Sequence, residues 1–156
     1  MEDILFKLAT TDDATIILEM MQKFYFIDEY CFNKETTAAN IIDFISKPEY
    51  GSIWIIQKQE TVIGYLIMTI VFSFEFKGKN AFVDELYIDE QYRNIGAGRK
   101  AIEHVSREAK KQNINALHLE VEKHNTKAIN VYQKQGFVEH NRIMNNEPFD
   151  FAQGKK

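Results

Sequence analysis

Seven residues, Arg93-Asn94-Ile95-Gly96-Ala97-Gly98-Arg99, place two glycines between two arginines just ahead of an apolar repeat at helical spacing, Ala101, Ile102, Val105 and Ala109. A helix start leaves several backbone N–H groups without intrahelical acceptors, and its aligned peptide dipoles make that end electropositive. Glycine lacks a Cβ, so an anion can come close to the backbone at Gly96 and Gly98. Arg93 and Arg99 add positive charge. The chemistry these residues suit is the binding of a phosphate or pyrophosphate. Upstream lie two adjacent carboxylates, Asp84 and Glu85; downstream lies Tyr132, seven residues after Asn125 and so on one helix face with it. A free tyrosine titrates at about 10, so Tyr132 stays protonated at neutral pH and can donate a hydrogen bond or a proton.

Three phosphate-binding patterns compete for the glycine segment. A P-loop would need Gly-x-x-x-x-Gly-Lys-Ser/Thr, which the chain lacks. Gly96-Ala97-Gly98-Arg99-Lys100-Ala101 fits the dinucleotide fingerprint, with Glu120 downstream, but Asp89 to Ile95 intervene between the preceding strand and the first glycine. The third pattern includes Arg93, as Arg-x-x-Gly-x-Gly, and resembles the acyl-CoA signature of the GCN5-related N-acetyltransferase (GNAT) superfamily. Residues 125–137 carry what resembles the family's other signature, Asn-x-x-Ala-x-x-x-Tyr-x-x-x-Gly-Phe, in Asn125, Ala128, Tyr132, Gly136 and Phe137. The resemblance spans residues 82–137; the N-terminal half matches only in its pattern of elements.

The resemblance implies an α/β fold with a mixed, mostly antiparallel sheet flanked by helices and splayed between its fourth and fifth strands, here residues 81–88 and 115–122. It implies acetyl-CoA as co-substrate, with main-chain groups of Leu86, Tyr87 and Ile88 pairing with the pantetheine arm. The segment Arg93, Asn94, Ile95, Gly96, Ala97, Gly98 and Arg99 would hold the pyrophosphate, and Asn125 would sit near the arm. Tyr132 takes the family's general-acid position. For the base, Asp84 or Glu85 (or a water chain) stays open. Strand alternation sends their side chains to opposite faces, so one of them at most reaches the substrate. The implied activity is acetyl transfer to a primary amine by direct attack; the alternative is a non-catalytic acetyl-CoA sensor. The segment between the first two helices forms one wall of the acceptor site in the family. Phe24, Asp28, Glu29 and Tyr30 would there suit a small cationic amine through ring and ionic contacts.

Those side chains need elements to carry them. Residues 4–8 read as a strand. Ile17, Met20, Met21, Phe24 and Ile27 predict a helix over 12–29, and Ala38, Ile41, Ile42 and Ile45 predict a second after Asn33. Strands are expected at 53–57, 62–76 and 81–88, with a hairpin turn at Lys77-Gly78-Lys79-Asn80. Three consecutive strands before the glycine loop argue against a Rossmann domain. Leu117, Leu119 and Val121 alternate with His118, Glu120 and Glu122 as a further strand. Neighbours on that face lie about 6.6 Å apart, too far for His118, Glu120, Glu122 and His124 to share one ion, so no metal is expected. His104 and His140 stand among polar neighbours and are expected at the surface. Residues 137–144 and 149–151 read as a closing hairpin.

The 156 residues fit one domain, 1–152, with 153–156 as a frayed tail. A net charge of −4 argues against a general nucleic-acid partner. No apolar run reaches the roughly 18–20 residues of a membrane span. Met1-Glu2-Asp3-Ile4 lacks the basic start of a signal peptide, and Cys31, the single cysteine, excludes an internal disulfide. A cytoplasmic location is therefore expected. Cys31 lies outside both signatures, so nothing supports an acyl-cysteine. Family members are often dimers, which makes a homodimer one expectation.

Overall fold

A computed structural model describes residues 4–27 and 29–140. Within them the elements run β1 (Ile4–Leu8), α1 (Ala14–Ile27), α2 (Lys34–Ile45), β2 (Gly51–Lys58), β3 (Thr61–Ser73), β4 (Gly78–Ile88), α3 (Ala97–Lys111), β5 (Leu117–Leu119) and α4 (Thr126–Lys134). The strands form one sheet in the order β1-β2-β3-β4-β5. Each neighbouring pair is antiparallel except β4 and β5, which are parallel. Asp28, the expected closing hairpin beyond His140 and the expected tail lie outside the described residues.

Alternation in the central strands separates two apolar layers. Ile53, Ile55, Tyr65, Ile67 and Tyr87 pack under Ile17, Leu18, Met20 and Met21 of α1 and Ile41 of α2. On the other face Trp54, Ile56, Leu66, Met68 and Ala81 pack under Ala97, Ala101, Val105 and Ala109 of α3. A sheet buried on both sides explains why Ile63 to Met68 run without a polar residue. Capping follows the sequence: the Asn33 side chain accepts from Thr36 N–H at 2.8 Å to start α2. At Gly64 an added Cβ would stand 2.1 Å from the Tyr87 carbonyl oxygen, so only glycine lets β3 approach β4 there.

Three expectations shift. The β3–β4 turn occupies residues 74–77 instead of 77–80, because Asn80 and Ala81 are buried within β4. Asn115 fixes that turn by donating from Nδ2 to the carbonyls of Phe76 at 2.9 Å and Lys77 at 3.1 Å. The strand expected over 115–122 is laddered only at Leu117–Leu119. His104 is half-buried rather than fully at the surface: its ring stacks on Phe6 at 4.4 Å and meets Trp54 edge-on at 5.2 Å. A helix position between polar neighbours still faces the sheet when it falls on the inner stripe, as His104 does one residue before Val105.

Candidate active site

The site forms where β4 and β5 part. Their ladder pairs Ala81 with Leu117, Phe82 with His118 and Val83 with Leu119, then ends. Asp84 and Glu120 are the next residues on the two strands. Both line a cavity of about 250 Å³ together with Thr69, Phe82 and Val83. Among the described residues β4 has no strand partner on its β5 side from Asp84 to Ile88, which leaves that edge open as the resemblance implies.

A β-bulge aims the carboxylates. In the β3–β4 register Met68 faces Val83 and Ile67 faces Glu85, leaving Asp84 as the extra residue. The alternation reverses there: Ala81 and Val83 pack toward α3, and so do Leu86 and Ile88. Asp84 and Glu85 consequently share the α1/α2 side, against the expectation that they point to opposite faces. Their roles still diverge. Glu85 is deep, and both of its oxygens are engaged: Tyr25 Oη donates to Oε1 at 2.6 Å and Tyr65 Oη to Oε2 at 2.7 Å. Burial raises its pKa, the two hydroxyls oppose that rise, and Asp84 adds to it. Asp84 instead borders the cavity. The residue is exposed, but its carboxyl is partly desolvated between the two strands, which lifts its pKa above the ordinary range, and the Glu120 charge pushes the same way.

The glycine loop meets the same opening. Asp89 N–H is bonded back to Ile63 O at 2.8 Å, and Arg93 Nε donates to Ile88 O at 3.1 Å. Arg93 thus ties the loop to the end of β4 and takes one carbonyl of the open edge. Gly96 caps α3 at φ +84°, a left-handed conformation that glycine tolerates. The first helical bond runs from Lys100 N–H to Gly96 O at 3.1 Å, so the N–H groups of Ala97, Gly98 and Arg99 precede the ladder. A Cβ at Gly96 or Gly98 would meet nothing within 4 Å among the described residues, so both glycines face open space at the helix start. That open, electropositive end fits a pyrophosphate. Arg99 also reaches Glu103 at 3.4 Å. Asn94, at φ +65°, and exposed Ile95 complete the turn.

Tyr132 comes to this end of the molecule on α4. Asn125 caps that helix by accepting from Ala128 N–H at 3.2 Å. Gln135 Nε2 donates to Arg99 O at 2.8 Å, docking α4 on the first turn of α3. Tyr132 lies three residues earlier, on the same helix face. Burial raises its pKa and keeps the hydroxyl protonated.

The acceptor wall is less uniform than the sequence suggests. Phe24 packs against the core layer and tilts onto Tyr87 at 6.0 Å, so it serves packing. Glu29 is exposed at φ +55°, and half-buried Tyr30 lies edge-on to Tyr25 at 5.7 Å. Leu86 and Tyr87 send their side chains to opposite core layers. With Asp89 N–H bonded to Ile63 O, alternation turns the main-chain groups of Leu86 and Ile88 to the open edge and those of Tyr87, opposite Tyr65, to β3. Sequence reasoning overlooked Glu120 as a partner of Asp84. It also overlooked Tyr25 and Tyr65 as partners of Glu85, since neither a bulge nor a parallel register leaves a local signal.

The chain and its fold are similar to known proteins. The profile of the Acetyltransferase (GNAT) family matches residues 16–137. Over 75 residues the chain is 32% identical to the thialysine N-epsilon-acetyltransferase of Mus musculus, a match covering 48% of this chain and 44% of that protein. The chain thus aligns with less than half the length of this curated relative. An integron cassette protein from the mobile metagenome of Cole Harbour Salt Marsh superposes with a TM-score of 0.82 at 25% identity, over 91% of this chain and 88% of that one. A possible acetyltransferase of Clostridium difficile 630 gives 0.82 at 18% identity, over 94% and 97%. A predicted acetyltransferase of Clostridium acetobutylicum, solved with acetyl-CoA, gives 0.78 at 15% identity, over 93% and 96%. With a mixed sheet split after Val83, a glycine-capped α3 beside the split and a family profile covering most of its length, this chain belongs to the acetyltransferase (GNAT) family.

Proposed function

We propose that the protein is an N-acetyltransferase that moves the acetyl group of acetyl-CoA to the primary amine of a small cationic acceptor. The observation that carries this reading is the pair of carboxylates, Asp84 and Glu120, in one cavity at the mouth of the β4–β5 split. Acetyl-CoA supplies the thioester. The N–H groups of Ala97, Gly98 and Arg99 hold the pyrophosphate, and the open edge of Leu86 and Ile88 orients the pantetheine amides. Asn125 sits beside that arm.

Acid and base divide between the two sides of the split. Two carboxylates in one cavity favour a cation, so an ammonium enters between Asp84 and Glu120. Asp84 removes its proton; although the residue is exposed, the cavity walls and the Glu120 charge raise its pKa, which makes it a stronger base than a free aspartate. The freed nitrogen forms the N–C bond as the C–S bond breaks, and it sheds its second proton to solvent as the amide forms. Tyr132 gives its hydroxyl proton to the departing sulfur and regains one from solvent. Glu85 is held for architecture by its two tyrosines, which favours Asp84 as the base. Glu29 and Tyr30, with Asp28 beside them in sequence, form the outer wall facing the acceptor.

The test is thiol release from acetyl-CoA over a panel of polyamines, amino acids, aminoglycosides and N-terminal peptides. Amine-dependent release is expected, with kcat lowered on the order of 10²-fold in Tyr132→Phe and CoA affinity unchanged. Tight CoA binding without release on any amine would sink the enzyme reading.

A further inference from the structure

Tyr25 touches both halves of the proposed acceptor site. Its hydroxyl donates to Glu85 Oε1 at 2.6 Å, beside the bulge that exposes Asp84. Its ring lies edge-on to Tyr30 at 5.7 Å and 90°, and to Phe32 at 5.6 Å and 79°. Its carbonyl accepts from Tyr30 N–H at 2.9 Å. One side chain thus joins the segment after α1 to the strand that carries the cavity's carboxylate. Tyr65 engages the other oxygen of the same Glu85 at 2.7 Å, but it stands within the sheet, fully buried and stacked on Tyr87 at 5.8 Å. Identical chemistry on one carboxylate therefore comes from two places, only one of which reaches the acceptor wall.

We infer that Tyr25 is a positioning residue for acceptor recognition: by gripping Glu85 with its hydroxyl and Tyr30 and Phe32 with its ring, it fixes the span between the acceptor wall and Asp84. This rests on the reading that the cavity receives an amine. A fixed span selects acceptors by reach. An amine whose distal group contacts the wall while its ammonium lies at Asp84 binds without further ordering cost; a shorter one forfeits one contact. Burial and the neighbouring Glu85 carboxylate both hold the Tyr25 hydroxyl protonated, so the tie persists at physiological pH.

The experiment pairs Tyr25→Phe with Tyr65→Phe. Each removes one hydroxyl from Glu85 and keeps its ring, so Tyr65→Phe controls for loss of stability. In Tyr25→Phe the KM for the best amine of the panel should rise about tenfold, with kcat within about twofold, because the wall drifts while the reacting groups stay. In Tyr65→Phe both constants should stay within about twofold. Hydrogen exchange supplies a readout independent of turnover: amides of residues 29–33 should exchange faster in Tyr25→Phe and not in Tyr65→Phe. Equal effects of the two variants on amine KM, or no effect of Tyr25→Phe, would overturn the inference. If the wild-type protein acetylates no amine, the proposed function fails, and the exchange contrast alone decides whether the tie exists.

Discussion

His104 carries an imidazole into an aromatic slot between Phe6 and Trp54, where its Nε2 is buried without a hydrogen-bond partner among the described residues. Burial lowers its pKa below 6.5, outweighing the opposing pull of Glu108. A base with a depressed folded pKa leaves stability intact above its unfolded value and takes stability away as pH falls through 6.5 toward the folded value, because the unfolded chain binds the proton first. Denaturant unfolding at pH 7.5 and 5.5 should therefore show acidification costing wild type more stability than His104→Phe; Asp84 and Glu85, whose raised pKa acts in the opposite sense, contribute alike to both. His118 shares the downward shift through burial, so some acid sensitivity should remain in the variant. Residue types were readable in the sequence in such cases; environments were not. The pair Asp84-Glu85 was visible as two adjacent acids, but a single unpaired bulge residue turned both toward α1 and α2 and then gave them different partners.

At the scale of elements, the glycine-capped start of α3 is the feature most fully written in the chain. Gly96 needs its left-handed φ and Gly98 faces open space, so each answers a local requirement that a motif can display. Gly98→Glu should weaken CoA binding by roughly tenfold or more, since a carboxylate would take the place of the pyrophosphate at the electropositive helix end. The same substitution should leave the melting temperature unchanged or slightly higher, because acidic groups stabilise a helix start. Calorimetric titration with CoA and a thermal melt separate the two effects. Equal affinity in variant and wild type would mean that the diphosphate binds elsewhere. Helices α1, α2 and α4 were likewise readable from 3.6-residue periodicity and from Asn33 and Asn125 as caps. Strand ends were not: β5 stops at Leu119 although alternation continues to Val121, because a ladder needs a partner edge and β4 bends away at its bulge.

Across the whole molecule, the proposed function needs two half-sites from distant parts of the chain to stay in register: a proposed acceptor wall after α1 and a proposed cofactor side built from β4, α3 and α4. The sheet supplies the rigidity, with Tyr65, Leu66 and Met68 fully buried at its centre. CoA bridging the split should stabilise the fold; at about 100 times its Kd the gain is about 2.7 kcal/mol, and the Tm should rise by roughly 5–10 °C. A melt unchanged by saturating CoA would contradict a cofactor seated across these elements. By itself, the sequence determined what local chemistry can encode. That includes the helix periodicities, the caps, the glycines that clear a helix start and the tyrosine seven residues beyond Asn125. It also includes, through its two signatures, the family and the splayed sheet. Only the tertiary structure decided which carboxylate borders the cavity, that Glu120 joins it, and that Tyr25 links Glu85 to Tyr30. Those outcomes depend on the β3–β4 bulge, on where a parallel ladder ends and on a contact across sixty residues of chain. None of them leaves a periodic trace, because each is settled by which strands and helices happen to lie side by side.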